Sequence, residues 1–198
     1  MLVEALVATV NQTVITLGEV DAEARIILLR RGGQLGAERL IDDRLRAAVL
    51  QYLINQEVIL GEARRLQVFQ ISDAEIAAEV EQLERRFERP EAYQQFLAEH
   101  GLSSSEVAEI VHRDLRVDRF LKSRVRMVAR LDADLVRRQF EQHPREYAGR
   151  TLDEARPEIE EKLGRSTHEE SIRKWLDELK ARSKIRILRN FGDAAIQP

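Results

Sequence analysis

The side chains that most often carry out catalysis are few in this sequence. No two of its four histidines stand four residues apart, the spacing that binds zinc on a helix. Cysteine is absent, which excludes disulfides and thiolate metal sites. We therefore expect no catalytic residue, no bound metal and no cofactor. The histidines, which we expect at the surface, are His100, His112, His143 and His168.

Two stretches of small residues have the types found in phosphate-binding loops and at nucleophilic serines, but their flanking residues do not fit either site. Residues 32–36, Gly-Gly-Gln-Leu-Gly, are not followed by the Lys-Ser/Thr pair of a phosphate-binding loop, so we predict a flexible loop. The serines at 103–105 lack the flanking glycines of a nucleophile turn. With Glu106 they instead form a helix-capping pattern.

The middle of the chain holds six bulky apolar residues whose role has two interpretations. As core residues they need no ligand. As a surface they would form a shallow groove that binds extended apolar segments of another polypeptide with modest affinity. The predicted peptide-binding residues are Phe87, Tyr93, Phe96, Leu97, Phe120 and Met127.

Charge is separated along the chain, although the net charge is only −3. Residues 72–109 have ten acidic and three basic side chains, whereas residues 113–130 have seven basic and two acidic ones. A basic helix is typical of a nucleic-acid or anionic-lipid surface. Few aromatic residues are interleaved with these arginines, which favours two oppositely charged helices that pack together.

Alternating β-branched residues predict strands at both ends of the chain. Val7–Thr16 reads as a hairpin, with Asn11 at the turn because asparagine tolerates the left-handed conformation. Lys184–Leu188 alternates charged and apolar residues. A lone hairpin is only marginally stable, so we predict that the two ends pair in one small antiparallel sheet.

Helical periodicity covers the residues between these strands. The fold class is therefore mainly α, in one domain over 1–198: a core from 7–70 plus 151–188, a helical arm over 71–147 and a frayed tail over 189–198. The predicted helices are 19–31 with Gly18 as N-cap, 38–66, one after a capping box at Ser72, 91–100, 104–129, one capped by Asp132, and one after a capping box at Thr151 that ends at Arg182.

The composition limits the cellular setting. Charged residues make up 34% and apolar residues 43%, and no apolar run approaches the 18 residues of a membrane-spanning helix. The first ten residues lack the basic and long apolar regions of a signal peptide. We expect either a cytoplasmic protein or a mature chain.

Five motifs occur in an order that resembles one known family. That family is the SurA-type periplasmic chaperones, together with the PrsA-like foldases, and the resemblance extends over about residues 7–188. The motifs are V-N-x-x-V-I-T at 10–16, L-I-x-x-x-V-I-L at 53–60, I-S-D-x-E-I at 71–76, G-L-S at 101–103 and R-K-W-L-x-E-L followed by K-I-R-I-L within 173–188.

The resemblance implies a non-catalytic chaperone module. In the family, a parvulin-type prolyl isomerase domain of about a hundred residues usually precedes the last helix. Here only residues 148–150 separate Tyr147 from Thr151, so we expect no isomerase and no enzyme activity. The implied function is ATP-independent binding of unfolded polypeptides, including outer-membrane proteins. The implied compartment is the periplasm, with a signal peptide that is removed or lies outside this sequence.

Two other functions and one assembly state remain as alternatives. The helical surfaces would also suit a dedicated scaffold or adaptor with one partner. A nucleic-acid binder would use the basic helix, and reversing the charges of Arg116, Arg119 and Arg126 would abolish its binding. Because the sheet needs both chain ends, a second copy can also complete it, which predicts a homodimer by strand or helix exchange.

Overall fold

A three-stranded antiparallel sheet joins the two ends of the chain. This computed structural model describes residues 5–66, 68, 70–162 and 168–191, with 128–132 and 168–171 by backbone alone. The strands are β1 (Leu6–Val10), β2 (Thr13–Thr16) and β3 (Ile185–Ile187). Their order in the sheet is β2-β1-β3. The predicted mainly α fold with a small sheet from the hairpin and the last strand is confirmed.

The hairpin turn also forms hydrogen bonds with the residue that precedes the last strand. Asn11 has φ 56°, the left-handed conformation predicted for it. Its backbone N–H donates to the Lys184 carbonyl at 2.8 Å, and its side-chain oxygen accepts from the Lys184 N–H at 2.9 Å. Ala8 lies opposite Ile187 in the β1–β3 ladder. One asparagine therefore closes the turn and sets the register of β3.

Helix α1 (Leu17–Ala37) begins at the residue after β2. The Thr16 hydroxyl accepts from the Glu19 N–H at 3.2 Å, and the Glu19 carboxylate accepts from the Thr16 N–H at 2.8 Å. The prediction of Gly18 as N-cap was wrong, because Thr16 supplies the acceptor oxygen that a glycine lacks.

The glycine-rich stretch bends α1 without ending it. Gly33 alone leaves the helical conformation, with φ 60°, and helical structure resumes up to Ala37. The predicted flexible loop over 32–36 is thus reduced to one break at Gly33, a residue without a Cβ.

Helix α2 (Asp43–Arg65) is the long helix predicted from residue 38. It begins later because the Asp42 carboxylate accepts from the Leu45 N–H at 2.7 Å and so fixes the N-terminus. Its buried residues run from Val49 to Ala63 and lie on opposite sides of the helix, so this part of α2 is covered from more than one side.

Two short helices follow. Ser72 and Glu75 form the predicted capping box at the start of α3 (Asp73–Glu84). Helix α4 (Pro90–Glu99) begins with Pro90 in its first turn, where proline's missing N–H costs nothing. Gly101, with φ 64°, follows the end of α4 as predicted.

Helix α5 (Ser104–Gln142) is one continuous helix of 39 residues. Its capping box pairs Ser103 with Glu106, whose N–H donates to the Ser103 hydroxyl at 3.2 Å. The predicted break between 129 and a new cap at Asp132 was wrong. No proline or glycine interrupts 104–142, and an aspartate inside a helix costs only a fraction of a kcal/mol.

The last two helices are α6 (Leu152–Lys162) and α7 (His168–Arg182). The predicted capping box opens α6, since the Glu154 N–H donates to the Thr151 hydroxyl at 3.3 Å. Pro157 lies within α6. Part of the predicted final helix, including Leu163, lies outside the described residues.

The chain divides into two compact units, residues 1–119 with 179–198 and residues 120–178. The first has an apolar core that includes Ile26, Leu29 and Phe96, and the second is centred on Tyr147 and Ile159. These limits differ from the predicted core and arm, whose functional division stays a prediction.

The predicted tail starts later than residue 189. The Arg189 N–H donates to the Val7 carbonyl at 3.2 Å, and Phe191 is only 5% exposed. The rest of the predicted tail, 192–198, lies outside the described residues.

Candidate functional site

Four of the six predicted peptide-binding residues lie together in the core of the first unit. Phe87, Tyr93, Phe96 and Leu97 are at most 6% exposed. The Phe87 ring centroid lies 5.5 Å from that of Tyr93 and 5.2 Å from that of Phe96. We call these four residues the aromatic cluster. In this arrangement they pack α4 and the turn after α3 into the core. Their role in peptide binding stays a prediction.

The other two predicted residues belong to the second unit. Phe120 is buried and stacks on Trp175, with ring centroids 5.8 Å apart. The Arg124 guanidinium covers the same indole at 5.3 Å from the ring centroid. Met127 is 43% exposed, and Val125, on a different side of α5, is 41% exposed. Met127 is thus the one predicted residue that is accessible to a partner.

A narrow apolar slot that the sequence analysis missed lies between α1 and α2. Its volume is about 280 Å³. The α1 wall is Ile27, Arg30 and Arg31, which stand at helical steps of three and four. The α2 wall is also one helix face, and it consists of Leu45, Ala48, Val49 and Tyr52. We call this space the α1–α2 slot.

The charges at the slot are positive. Arg30 forms an ion pair with Asp114 of α5. Arg31 is exposed and has no ion pair within the described part of the chain. None of the described residues that line the slot is acidic. One guanidinium is therefore neutralised inside the protein, and the other faces solvent at the edge of an apolar surface.

Asp114 also receives hydrogen bonds from α2. The Tyr52 hydroxyl and the Gln56 amide both donate to its Oδ1, the former at 3.1 Å. Burial and the negative charge of Asp114 raise the pKa of Tyr52, which therefore stays protonated and remains a donor. Two residues that line the slot, Arg30 and Tyr52, are thus fixed by contacts with Asp114 that join three helices.

A second buried carboxylate lies in the same polar region. Glu23 of α1 is 0% exposed and forms an ion pair with Arg113 of α5, while its Oε1 has no hydrogen-bond partner in the part of the chain that the structure describes. Burial raises the pKa of Glu23 to about 7, and the nearby charge of Asp114 acts in the same direction. We call Glu23, Arg30, Arg113 and Asp114, with the donors Tyr52 and Gln56, the buried polar network.

A wider cleft in the first unit is more polar than the slot. It has a volume of about 550 Å³ and is lined by residues that include Asp21, Arg25 and His100. Arg25 donates to the carbonyls of Ala37 and Arg39. The Arg46 Nε donates to Asp21 at 2.8 Å. These charged side chains are already paired, so the cleft has a structural explanation.

Part of the basic segment faces acidic residues. Arg119 forms an ion pair with Glu75 and donates to the Gln70 carbonyl at 2.9 Å. Hydrogen bonds from Ser72, together with Arg119, lower the pKa of Glu75 to about 2. The Arg119–Glu75 pair agrees with the interpretation that the oppositely charged helices pack together, whereas Arg113 pairs with Glu23 of α1, outside the acidic segment.

The histidines do not converge. His100 is half-buried beside Phe96, with ring centroids 4.9 Å apart, and burial lowers its pKa. His112 is half-buried and His143 is exposed, whereas the His168 side chain lies outside the described residues. Within 5–66, 68, 70–162 and 168–191, no group of three or more potential ligands is placed to hold a metal ion. Nor does any helix in these ranges have the length and apolar character needed to cross a membrane.

One sequence signal pointed to the buried polar network. Glu23 interrupts the otherwise apolar face formed by Val20, Ile26 and Ile27. An acid in such a position needs a buried partner. Arg113, its partner, is 90 residues away, so no local pattern identified it.

Comparison with known proteins places the chain in a family. The family model of the SurA-like N-terminal domain matches residues 3–121, more than half of the chain. No match is found among curated proteins. The matched range includes the hairpin, α1 to α4, the aromatic cluster and the buried polar network. The chain therefore belongs to the SurA-like N-terminal domain family.

Proposed function

We propose that this protein is an ATP-independent chaperone that binds unfolded or partly folded polypeptides, including outer-membrane proteins, in the periplasm. The observation that carries the proposal is the family match over residues 3–121. The mechanism is equilibrium binding: a client's apolar segment is covered transiently, which lowers the concentration of the species that aggregates. No catalytic residue is required.

Accessible apolar side chains on α5 support this function. Val125, Met127 and Leu135 are 41–44% exposed although each is large and apolar. Methionine has a flexible side chain that adapts to ligands of different shape, which suits binding of many clients. In the second unit we assign the first client contact to these three residues.

The predicted groove residues require a different role within this proposal. Because Phe87, Tyr93, Phe96 and Leu97 are buried, a client reaches them only if their packing opens. We assign them to shaping the helices, with direct client contact restricted to opened states. Phe120, stacked on Trp175, has the same status in the second unit.

The proposal is tested by light scattering from several unrelated denatured clients as they aggregate. We expect the protein to suppress aggregation of most of them at stoichiometric amounts, equally with and without ATP. Suppression for a single client only would instead support a dedicated scaffold or adaptor. Failure with every client would overturn the proposed function.

A double variant of α5 and a control variant in the first unit test whether clients bind at α5. Met127→Ser combined with Val125→Ser removes exposed apolar area from α5 and should weaken client binding about fivefold. Leu66→Ser is the control, since Leu66 is a similarly exposed apolar residue, at 47%, in the first unit. Equal loss in both variants would count against α5 as the client surface.

A further inference from the structure

The α1–α2 slot combines an apolar interior with a positive charge at its edge, Arg31, which forms no ion pair with any residue that the structure describes. We propose that it binds one large apolar side chain of an extended polypeptide that has an acidic residue within two positions. This inference rests on the proposed function, because it names the class of client segment that this part of the protein prefers. It concerns the first unit alone.

The size of the slot selects a single side chain. Pockets for drug-sized ligands range from about 300 to 1,000 Å³, and this slot, at about 280 Å³, is smaller. Its α2 wall runs from Leu45 to Tyr52, seven steps of about 1.5 Å each, or about 10 Å. An extended peptide covers that length with about three residues. One anchor side chain and its two neighbours therefore fill the slot.

The wall residues allow the anchor to enter. Ala48 is exposed and small, and it stands between the larger Leu45 and Tyr52 on the same face of α2. Val49 is buried and forms the apolar base. A longer side chain at position 48 would occupy the space, so this position offers a direct way to close the slot.

Charge complementarity fixes the second part of the preference. Asp114 neutralises Arg30, so Arg30 gives little attraction to a ligand. Arg31 has no such partner among the described residues, and no acidic residue lines the slot. A carboxylate next to the anchor would lie near Arg31, whereas a lysine there would be repelled. An exposed ion pair of this kind contributes up to about a fivefold difference in affinity.

The test uses two peptides that differ only in charge. Both are short, blocked at the termini and extended, with one central phenylalanine flanked by glycine and serine. Glutamate follows the phenylalanine by two positions in one peptide, and lysine takes that place in the other. Fluorescence anisotropy with the full chain should show about two- to fivefold tighter binding of the glutamate peptide at low salt.

Charge reversal at the slot should reverse the preference. We expect Arg31→Glu to favour the lysine peptide, while Arg86→Glu, the same change at an exposed arginine of the first unit without a described ion pair, keeps the wild-type preference. Ala48→Leu should weaken both peptides at least fivefold. Its control is Ala78→Leu, on the exposed side of α3. Circular dichroism checks that every variant is folded.

The outcomes separate the inference from the proposed function. If the wild type suppresses aggregation but Arg31→Glu has an unchanged peptide preference, peptide binding in the α1–α2 slot is contradicted and the chaperone function is not. Absence of both peptide binding and suppression would overturn both. Decanoate that binds more tightly than the glutamate peptide would assign the slot to an anionic amphiphile and overturn the polypeptide occupant.

Discussion

Two regions of the first unit hold helices together in opposite ways. The aromatic cluster packs α4 and the turn after α3 into the apolar core through buried rings, and leaves almost no area exposed. The buried polar network joins α1, α2 and α5 through ion pairs and hydrogen bonds. The first region consists of side chains that are uncharged at neutral pH, and the second contains a carboxylate whose pKa is raised to about 7.

The difference separates stability from specificity. Apolar burial contributes free energy in proportion to area and tolerates many arrangements. A buried charge adds little net free energy, but it excludes arrangements that leave it unpaired. We infer that the aromatic cluster supplies stability, whereas the buried polar network fixes how α1 and α2 meet and thereby shapes the α1–α2 slot.

The largest expected change in the free energy of unfolding comes from removing one ring of the aromatic cluster. Phe96→Ala should lower the free energy of unfolding by about 4 kcal/mol, because the lost ring leaves a cavity between Phe87 and Tyr93. Urea unfolding measures this and should give the same result at pH 7 and pH 8, where His100 beside Phe96 is neutral. Leu35→Ala, at a residue 81% exposed, is the control and should change the value by less than about 0.5 kcal/mol.

Breaking the central ion pair of the buried polar network should cost slightly less and depend on pH. Arg113→Met leaves the Glu23 charge without its direct partner and should lower the free energy of unfolding by about 3 kcal/mol at pH 8. At pH 5.5 the loss should shrink, because Glu23 is then protonated. Arg116→Met on the same helix is the control. An identical loss at both pH values would contradict a charged Glu23.

The smallest of the three effects is the pH dependence of the wild type. The folded pKa of Glu23, about 7, is above its ordinary value of 4.5, so between these values the folded state binds more protons than the unfolded state. Its contribution to the free energy of unfolding should therefore rise by about 2 kcal/mol from pH 8 to pH 5.5. Glu23→Gln should remove this rise, whereas Glu88→Gln should retain it.

The fold was largely predictable because its signals are local. Alternating β-branched residues mark the strands, and Ser72, Ser103 and Thr151 each stand three residues before the glutamate that completes a capping box. The N-cap at Thr16 was missed because that residue also ends a strand. The continuity of α5 was missed because Asp132 has the residue type of a cap, although the helix continues through it.

The candidate site was less predictable because it depends on contacts distant in sequence. Arg113 and Glu23 belong to different helices, and the α1–α2 slot exists only where two faces meet. The apolar type of Phe87 or Tyr93 could not distinguish a core residue from a surface residue. Exposure decided this, and it left Met127 as the accessible member of the predicted set.

The position of β1 between β2 and β3 has a consequence for the order of folding. Its first neighbour, β2, follows a few residues after β1, but its second neighbour, β3, is about 175 residues later in the chain. A nascent polypeptide therefore exposes one unpaired edge of β1 until residues 185–187 have been synthesised. A chain that stops before Lys184 keeps this edge open to pairing with other strands.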